Sequence, residues 1–489
     1  MSPTIRVLFA FLFYSILFIY NHQLHSQNLE IPVTAKSAEA LKSYNQGIGM
    51  LDKLHFQDAI KCFEDAIVND KDFALAYLQK AIAFSLEGNT NKYLENINKA
   101  VALTTKVSEG ERLIILGEKA GAVNNPDEMK KLFKQLVEKY PQDKRAHYYL
   151  GSVLYNQGNY ASAVKEFEMS IVLAPDFIPA YKLLAYTYSY LAKHYKAEEL
   201  IQKYIQLLPE EADPYSSLGD ILLKEGKFDE SLTAYKKSLE KNPDYCKTYI
   251  GIGNNLIFQG RIDEARIEFE KLYNLTNNEF NKRQALYAIV CSYVHEGKYD
   301  LALEKLQQRY GFAEEMKDIQ QMVIDLNLMG DVLLEWGKLD DARSKYKKSI
   351  EVSQKSNLPK EIIEDIKHQL LFYEARIDLK KNDVTAAKQK AEKYNNGATR
   401  SNNIIEMRKC HGLLGLIALQ VKNIDEAINE FKLSDQRDPC ILCKTAEAYI
   451  LKGDKEVARE FWTKAVNVNE NDIHFAFIKN SAKKKLAEL

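Results

Sequence analysis

The sequence predicts an all-α protein, and within that class an α-solenoid of about twelve stacked helical hairpins. Three observations predict it. A short phrase that begins with glycine recurs along the chain, several residue types return every 34 positions, and sustained Val/Ile/Thr alternation is absent. With 489 residues, of which 46% are hydrophobic, the chain has enough apolar material to fold along most of its length.

The recurring phrase is predicted to join the two helices of each hairpin. It reads GNYASA from Gly158, GKFDES from Gly226, GRIDEA from Gly260, GKYDLA from Gly297 and GKLDDA from Gly337. Glycine suits the end of the first helix because it adopts the left-handed conformation without a Cβ penalty. We expect the acidic residue that follows, such as Asp229, to start the second helix and accept hydrogen bonds from its free amides.

Five columns of residues recur at intervals of 34. They are Pro141, Pro175, Pro209 and Pro243; His147, Tyr181, Tyr215 and Tyr249; Leu150, Leu184, Leu218 and Ile252; Gly151, Ala185, Gly219 and Gly253; and Ala163, Ala197, Ser231 and Ala265. The small residues are expected to let paired helices approach closely, with aromatic rings such as that of Tyr235 filling the space beside them. Each proline is expected to end a second helix.

These columns resemble the tetratricopeptide repeat, or TPR, whose unit has a Leu-Gly pair, a turn glycine, an alanine, an aromatic residue and a closing proline. The likeness is strongest over residues 144–277 and extends to residues 40–73. The resemblance implies a right-handed superhelix with first helices on its concave wall, and it implies protein or peptide binding. Some TPR domains clamp a terminal carboxylate with a Lys and Asn pair, but Tyr186 and Ile250 interrupt that pattern here, so chaperone-tail specificity is not implied.

We divide the chain into four segments. They are a signal peptide (1–26), an N-terminal linker (27–39), a regular repeat array (40–280), and an array of longer units with a C-terminal capping helix (281–489). The polar stretch 274–282 is expected to mark a change of pitch. No stretch long enough for a separate catalytic domain escapes the helical pattern.

The first residues predict export. Arg6 precedes the apolar run 7–20 and a cleavage-like site at 24–26. As a helix this run spans about 21 Å, which is short for a membrane span of about 30 Å. An uncleaved anchor and a capping helix of the fold are the alternatives. We therefore expect a periplasmic or extracellular protein that begins near Gln27 and is not stably inserted in a membrane after cleavage.

The chemistry-bearing residue types predict neither a catalytic site nor a cofactor nor a metal. The formal net charge of −1 gives no general attraction for nucleic acid. The pair Cys440 and Cys443 is interpreted as two small residues at the start of a helix, with a local disulfide or a metal site as alternatives. The glycine-lysine pairs lack the remaining residues of a phosphate-binding loop.

First-helix positions beside the core stripe are predicted to line a concave peptide-binding groove. Tyrosine offers broad apolar contact and a hydroxyl, and the cations could meet carboxylates. The candidate residues are Arg145, Tyr148, Ser152, Tyr155, Lys182, Tyr186, Tyr190, Asp220 and Asn254. Asp331 is expected on the same wall.

The leading hypothesis is a non-enzymatic, exported scaffold whose partner is a protein or an extended peptide segment. A structural spacer that uses its ends or convex face in an envelope assembly is the second hypothesis. An enzyme with a site assembled across repeats is the third. The sequence leaves the oligomeric state and the identity of the partner open.

Overall fold

The computed structural model describes residues 30–400 and 403–488, and there it is built of helices connected by short loops. The predicted signal peptide, residues 1–26, lies outside the described residues. Twelve helical hairpins follow one another and a last helix, α25 (Ile473–Ala487), follows them; the described residues form no β-strand. The predicted all-α solenoid is therefore confirmed. Among the described residues, no helix combines the length and apolar character that a membrane crossing needs.

We number the hairpins 1 to 12. Their first helices are α1 (Ala38–Asp52), α3 (Ala74–Leu86), α5 (Glu109–Ala122), α7 (Lys144–Asn156), α9 (Ile178–Tyr190), α11 (Ala212–Lys224), α13 (Cys246–Phe258), α15 (Glu279–His295), α17 (Ile319–Glu335), α19 (Lys360–Lys380), α21 (Ile404–Gln420) and α23 (Pro439–Lys452). Their second helices are α2 (Phe56–Asn69), α4 (Thr90–Ala102), α6 (Pro126–Lys139), α8 (Tyr160–Leu173), α10 (His194–Leu207), α12 (Phe228–Lys241), α14 (Ile262–Leu275), α16 (Tyr299–Glu315), α18 (Leu339–Gln354), α20 (Val384–Arg400), α22 (Ile424–Leu433) and α24 (Lys455–Val466). A 3₁₀ turn, Thr104–Lys106, precedes α5.

Each hairpin turns through one residue in the left-handed conformation. At Gly226 the φ angle is +76°, and the amides of Gly226 and Lys227 close the end of α11 on the carbonyls of Leu223 and Leu222. Glycine holds this place in seven of the hairpins, and the other five use Leu54, Asn124, Ala192, Asn382 and Lys422. The predicted role of the turn glycine is confirmed. In the other five hairpins, the Cβ of the turn residue makes the left-handed conformation less favourable.

The predicted capping by the acidic residue of the turn phrase is wrong in its geometry. The N-cap of α12 is Lys227, which makes no side-chain capping bond, and Asp229 lies inside the first turn of the helix. Its carboxylate is therefore positioned to interact with the helix dipole rather than to accept an amide hydrogen bond as an N-cap would. The capping box predicted at Ser108 and Glu111 is present.

Small residues of first helices face aromatic rings of second helices. A Cβ added to Gly151 would approach the ring of Phe167 to 2.8 Å, and one added to Gly219 or Gly253 would overlap a ring in the same way.

The tyrosines that recur every 34 residues make a hydrogen bond to the proline of the same column position in each unit. The Tyr181 hydroxyl donates to the carbonyl of Pro175 at 2.7 Å, and Tyr215 and Tyr249 bond their own prolines. The tyrosine column and the proline column of the sequence repeat are therefore connected by a hydrogen bond that recurs in each of these units.

The longer units predicted after residue 280 are found in hairpins 8 to 10, where the helices are longer, whereas the second helices of hairpins 11 and 12 have only 10 and 12 residues. The helices from α1 to α14 have 13 to 15 residues, as in α13 with 13, whereas α15 has 17 and α19 has 21. The loop at the predicted change of pitch is short, because α14 ends at Leu275 and α15 begins at Glu279.

The array winds back onto itself. The Asn124 side chain donates to Asp365 at 2.8 Å, and the Arg408 guanidinium donates to the carbonyl of Gln157 at 2.9 Å. These partners are 241 and 251 residues apart in the chain. Hairpins about seven places apart therefore touch, so the solenoid completes a turn and its later hairpins rest on the earlier ones.

The segment before α1, predicted as a linker, runs along the start of the array and is held there by hydrogen bonds of its backbone. The amides of Ile31, Thr34 and Lys36 donate to the carboxylates of Asp143, Glu111 and Asp70 at 2.7, 2.8 and 2.8 Å. Asp143 is the N-cap of α7, Glu111 lies in the first turn of α5 and Asp70 is the C-cap of α2, so three successive points along the array each hold one backbone amide of the segment.

The C-terminal segment docks on the middle of the array. Glu470 lies 2.7 Å from Lys224, the Asn469 side chain donates to the carbonyl of Leu223, and Asn480 donates to the carbonyl of His295. Helix α25 packs against α15, and the fully buried ring of Phe475 belongs to the apolar core between these elements. This helix therefore fastens the last hairpin to hairpins 6 to 8.

Candidate functional site

All nine side chains predicted to line the groove are half-buried, and the structure gives most of them partners within the chain. Arg145 bonds Asp143 and the carbonyl of Ile31, so it holds the docked N-terminal segment. The ring of Tyr148 packs edge-on against Phe177, with 5.4 Å between the ring centroids. The Ser152 hydroxyl donates to the carbonyl of Tyr148, one turn earlier in α7.

A polar network ties together the predicted residues of hairpins 5 to 7. Lys182 donates to both oxygens of Asp213 at 2.8 and 2.7 Å, and Tyr186 donates to Asp220 at 2.6 Å. Lys247 approaches Asp220 to 2.8 Å. Burial acts to raise the pKa of Asp213, but the charges of Lys182 and Lys247 outweigh it and hold that pKa below its usual range. Two lysines thus face two aspartates, and the charges in this stretch of wall balance.

The remaining predicted residues meet the C-terminal segment. Tyr190 stacks on Tyr160 with 4.7 Å between the ring centroids, and Tyr155 lies against both rings. The Lys224 ammonium, paired with Glu470, lies 3.3 Å from the centroid of the Tyr190 ring. Asn254 accepts a hydrogen bond from Asn471 at 2.8 Å. The chain itself therefore occupies this part of the predicted groove, and peptide binding by these nine residues stays a prediction.

An open space exists further along the wall. A cavity of about 920 Å³ lies against the first helices of hairpins 9 to 12, which are α17, α19, α21 and α23. One side of it is formed by α25, through His474, Phe477 and Lys485. Its apolar lining includes Phe372, Leu416 and Ile441. The cavity is large enough for a ligand of several side chains.

The cavity lining carries both signs of charge with an excess of cations. Seven lysine and arginine residues line it, against five aspartates and glutamates. Most of these cations have partners: Arg376 contacts Asp331, and Lys380 lies 2.9 Å from Glu335. Lys409 is exposed, and no carboxylate of the described residues lies within ion-pair distance of it. This ammonium is therefore available to an acidic group of a ligand.

A buried donor also lines the cavity. Trp462 is 4% exposed, and its indole N–H has no hydrogen-bond partner among the described residues. An indole nitrogen donates and does not accept, and buried donors are normally paired. This N–H is not accessible from the cavity, so the features of the cavity that a ligand can contact are its apolar surface and the free Lys409 ammonium.

The predicted helix start at Cys440 and Cys443 is confirmed, since both lie in the first turns of α23 and both are free thiols. Burial raises the pKa of the Cys443 thiol to about 12, which keeps it protonated and unreactive at neutral pH. Asp331, expected on the wall, does line the cavity, where it also accepts from Tyr346 at 2.9 Å.

The cavity could not be predicted because the long-unit hairpins carry few signature residues. The repeat interval drifts beyond Ala265, and Asp331 is the single wall position predicted past that point. One signal was present. Cationic residues cluster on α21 as Arg408 and Lys409, next to the exposed apolar Ile405.

Comparison with known proteins agrees with this architecture. Two tetratricopeptide-repeat family models match, one over residues 116–176 and the other over residues 212–245. The TPR repeat-containing protein MJ1428 of Methanocaldococcus jannaschii is 22% identical over 251 residues, which are 41% of this chain and 43% of that protein. The chain thus spans less than half the length of this relative.

The solved structures that the chain matches include MamA and yeast Tom70. The MamA protein is 23% identical, with a TM-score of 0.29, and the match covers 33% of this chain and 89% of that one. Yeast Tom70 is 14% identical, with a TM-score of 0.40, and the match covers 92% of this chain and 95% of that one.

The stacked hairpins and their concave cavity define the chain as a helical-repeat protein of the α-solenoid class. The matches to the repeat models show that two stretches of the chain, residues 116–176 and 212–245, are similar to tetratricopeptide repeats.

Proposed function

We propose that the protein is an exported, non-enzymatic scaffold that binds a segment of another protein in the cavity of hairpins 9 to 12. Tetratricopeptide-repeat solenoids typically bind proteins. The observation that carries the proposal is the cavity of about 920 Å³, with its apolar lining and the free Lys409. These features favour a segment with apolar side chains and at least one carboxylate.

The docked N-terminal segment supports binding of extended chains. Three carboxylates at successive points along the first three hairpins and the start of the fourth each accept a hydrogen bond from one of its backbone amides. An array that holds its own extended chain in this way has the spacing to hold another. The first half of the array is filled by the chain's own ends, so the cavity is the better-placed site for a partner.

A selection of short random peptides on the purified protein tests the proposal. Selected peptides should be rich in apolar and acidic residues, and Lys409→Glu should weaken their binding by about tenfold or more. Ile405→Asp, at a cavity position that is 41% exposed, should do the same. Lys432→Glu and Leu433→Asp make the same chemical changes at exposed positions outside the cavity and should leave binding unchanged. Equal losses of peptide binding in the cavity variants and in the control variants would show that the cavity is not the binding site.

Export has its own test. The N-terminus of the protein isolated from the periplasmic and external fractions should lie near Gln27. Recovery of the full-length chain from the cytoplasm would overturn this part of the proposal.

A further inference from the structure

Three metal-ligating side chains converge where the second turn of the solenoid rests on the first. Asp365 and His368 lie one helical turn apart on α19, and Glu406 lies on the neighbouring first helix, α21. One ligand atom from each lies within 4.8 Å of the other two. Glu406 is 4% exposed, and the other two side chains are half-buried. The described residues contain no second group of this kind.

The surrounding contacts orient all three groups. The His368 Nε2 donates to the carbonyl of Tyr394 at 2.9 Å, which leaves Nδ1 facing Glu406 Oε2 at 3.2 Å. Gln369 donates to the other oxygen of Glu406, and Asn124 donates to Asp365 at 2.8 Å. Metal-binding histidines commonly donate their second N–H to a carbonyl, and ligating carboxylates are commonly held by outer donors.

The ring beside the cluster offers a second observation. Tyr394 stacks on His368 with 4.6 Å between the centroids, and it is fully buried. Its hydroxyl has no hydrogen-bond partner of normal geometry among the described residues. This buried ring therefore holds the orientation of the His368 imidazole within the cluster.

We propose that Asp365, His368 and Glu406 bind a divalent transition-metal ion of the Zn²⁺ type. One imidazole and two carboxylates form a nitrogen and oxygen donor set that Zn²⁺ accepts, with water in the fourth position. Ligand bonds of about 2.0–2.2 Å in tetrahedral geometry put donor atoms about 3.3–3.6 Å apart. The 3.2 Å between His368 Nδ1 and Glu406 Oε2 is close to the lower end of that range.

The position gives the ion a structural role. It would join α19 to α21 and, through Asn124, fix hairpin 10 against hairpin 3 of the previous turn. His368 lies one helical turn before Phe372, which lines the cavity. Metal binding is therefore expected to stiffen one wall of the cavity in addition to stabilising the array.

Titration of metal-free protein with Zn²⁺ tests the site, with binding followed by calorimetry and bound metal measured by elemental analysis. We expect about one bound Zn²⁺ per chain. The melting temperature should rise when Zn²⁺ is added and should not change when Mg²⁺ is added. Asp365→Asn should weaken Zn²⁺ binding by about 100-fold or more, and Asn124→Ala, which removes an outer donor, by about tenfold.

The matched control is the pair formed by His411 and Glu430, which lie 2.8 Å apart without a third ligand. His411→Ala should leave Zn²⁺ binding intact, whereas His368→Ala should abolish it. Circular dichroism checks that each variant is folded, and Glu406→Gln keeps the test open if His368→Ala does not fold. Lack of stoichiometric Zn²⁺ in the folded wild-type protein, or equal losses in both histidine variants, would show that the cluster is an ordinary ion-pair group.

Discussion

Glu470 Oε1 lies 2.7 Å from Lys224 Nζ, although the two residues are 246 positions apart in the chain. This ion pair lies where the C-terminal segment meets the first helix of hairpin 6. Both side chains are partly exposed, so the pair itself is worth about 1 kcal/mol or less. The apolar contacts of α25 next to it carry most of the energy of docking.

Phe475→Ala is expected to release α25 from the array. The ring is fully buried and packs near Phe258, with 6.1 Å between the centroids. Its loss should reduce the free energy of unfolding by about 3–5 kcal/mol, measured by urea denaturation. Hydrogen exchange in α15 should become faster. The control is Ile324→Ala, at a position that is 43% exposed, and its effect should stay below about 0.5 kcal/mol.

Gly253→Ala tests the packing of small residues beside rings. A Cβ at this position would overlap the ring of Phe269, so the two helices would have to separate. We expect a loss of about 1–3 kcal/mol in stability. Gly49→Ala is the matched control, because α1 has open space at that position. There the higher helix propensity of alanine should add about 0.5–1 kcal/mol.

Two substitutions at hairpin turns are expected to change the free energy of unfolding in opposite directions. Ala192 has a φ angle of +54° at the turn of hairpin 5, where other hairpins use glycine. Ala192→Gly should relieve the Cβ penalty and raise the free energy of unfolding by about 1 kcal/mol. Gly226→Ala, at the same turn of hairpin 6, should lower it by a similar amount. Changes of the same sign in both variants would contradict the assigned turn geometry.

His295 predicts a loss of stability in acid. Burial, with a contribution from the charge of Lys479, lowers the pKa of His295 from 6.5 to about 4. The unfolded chain therefore binds a proton at a higher pH than the folded chain does. Stability should fall as the pH drops from about 6.5 to about 4, by about 3 kcal/mol in total. His295→Gln should remove this part of the pH dependence when unfolding is compared at about pH 7.5 and about pH 4.5.

The local architecture could be predicted because it repeats. A turn glycine such as Gly226, the contact of Gly219 with Tyr235, and the bond from Tyr181 to Pro175 each recur at a fixed interval, and recurrence makes them visible in one sequence. The predicted capping by Asp229 is wrong because the sequence does not distinguish an acidic residue at the N-cap from one inside the first turn of a helix.

The contacts between distant parts of the chain could not be predicted. The bonds of Asn124 with Asp365 and of Asn471 with Asn254 depend on the pitch of the whole superhelix, and each occurs once. The convergence of His368 and Glu406 likewise depends on how two long helices pack, in a region where the repeat interval drifts. The extended segment around Ile31 looked like a linker because its bonds are made by its backbone.

The cavity of hairpins 9 to 12 is the place where we propose that a partner binds. Hydrogen exchange of the protein with and without a selected peptide tests this most directly. We predict slower exchange in α21 and α23 when the peptide binds, with α7 and α9 unchanged. Slower exchange confined to α7 and α9, with α21 and α23 unaffected, would contradict it.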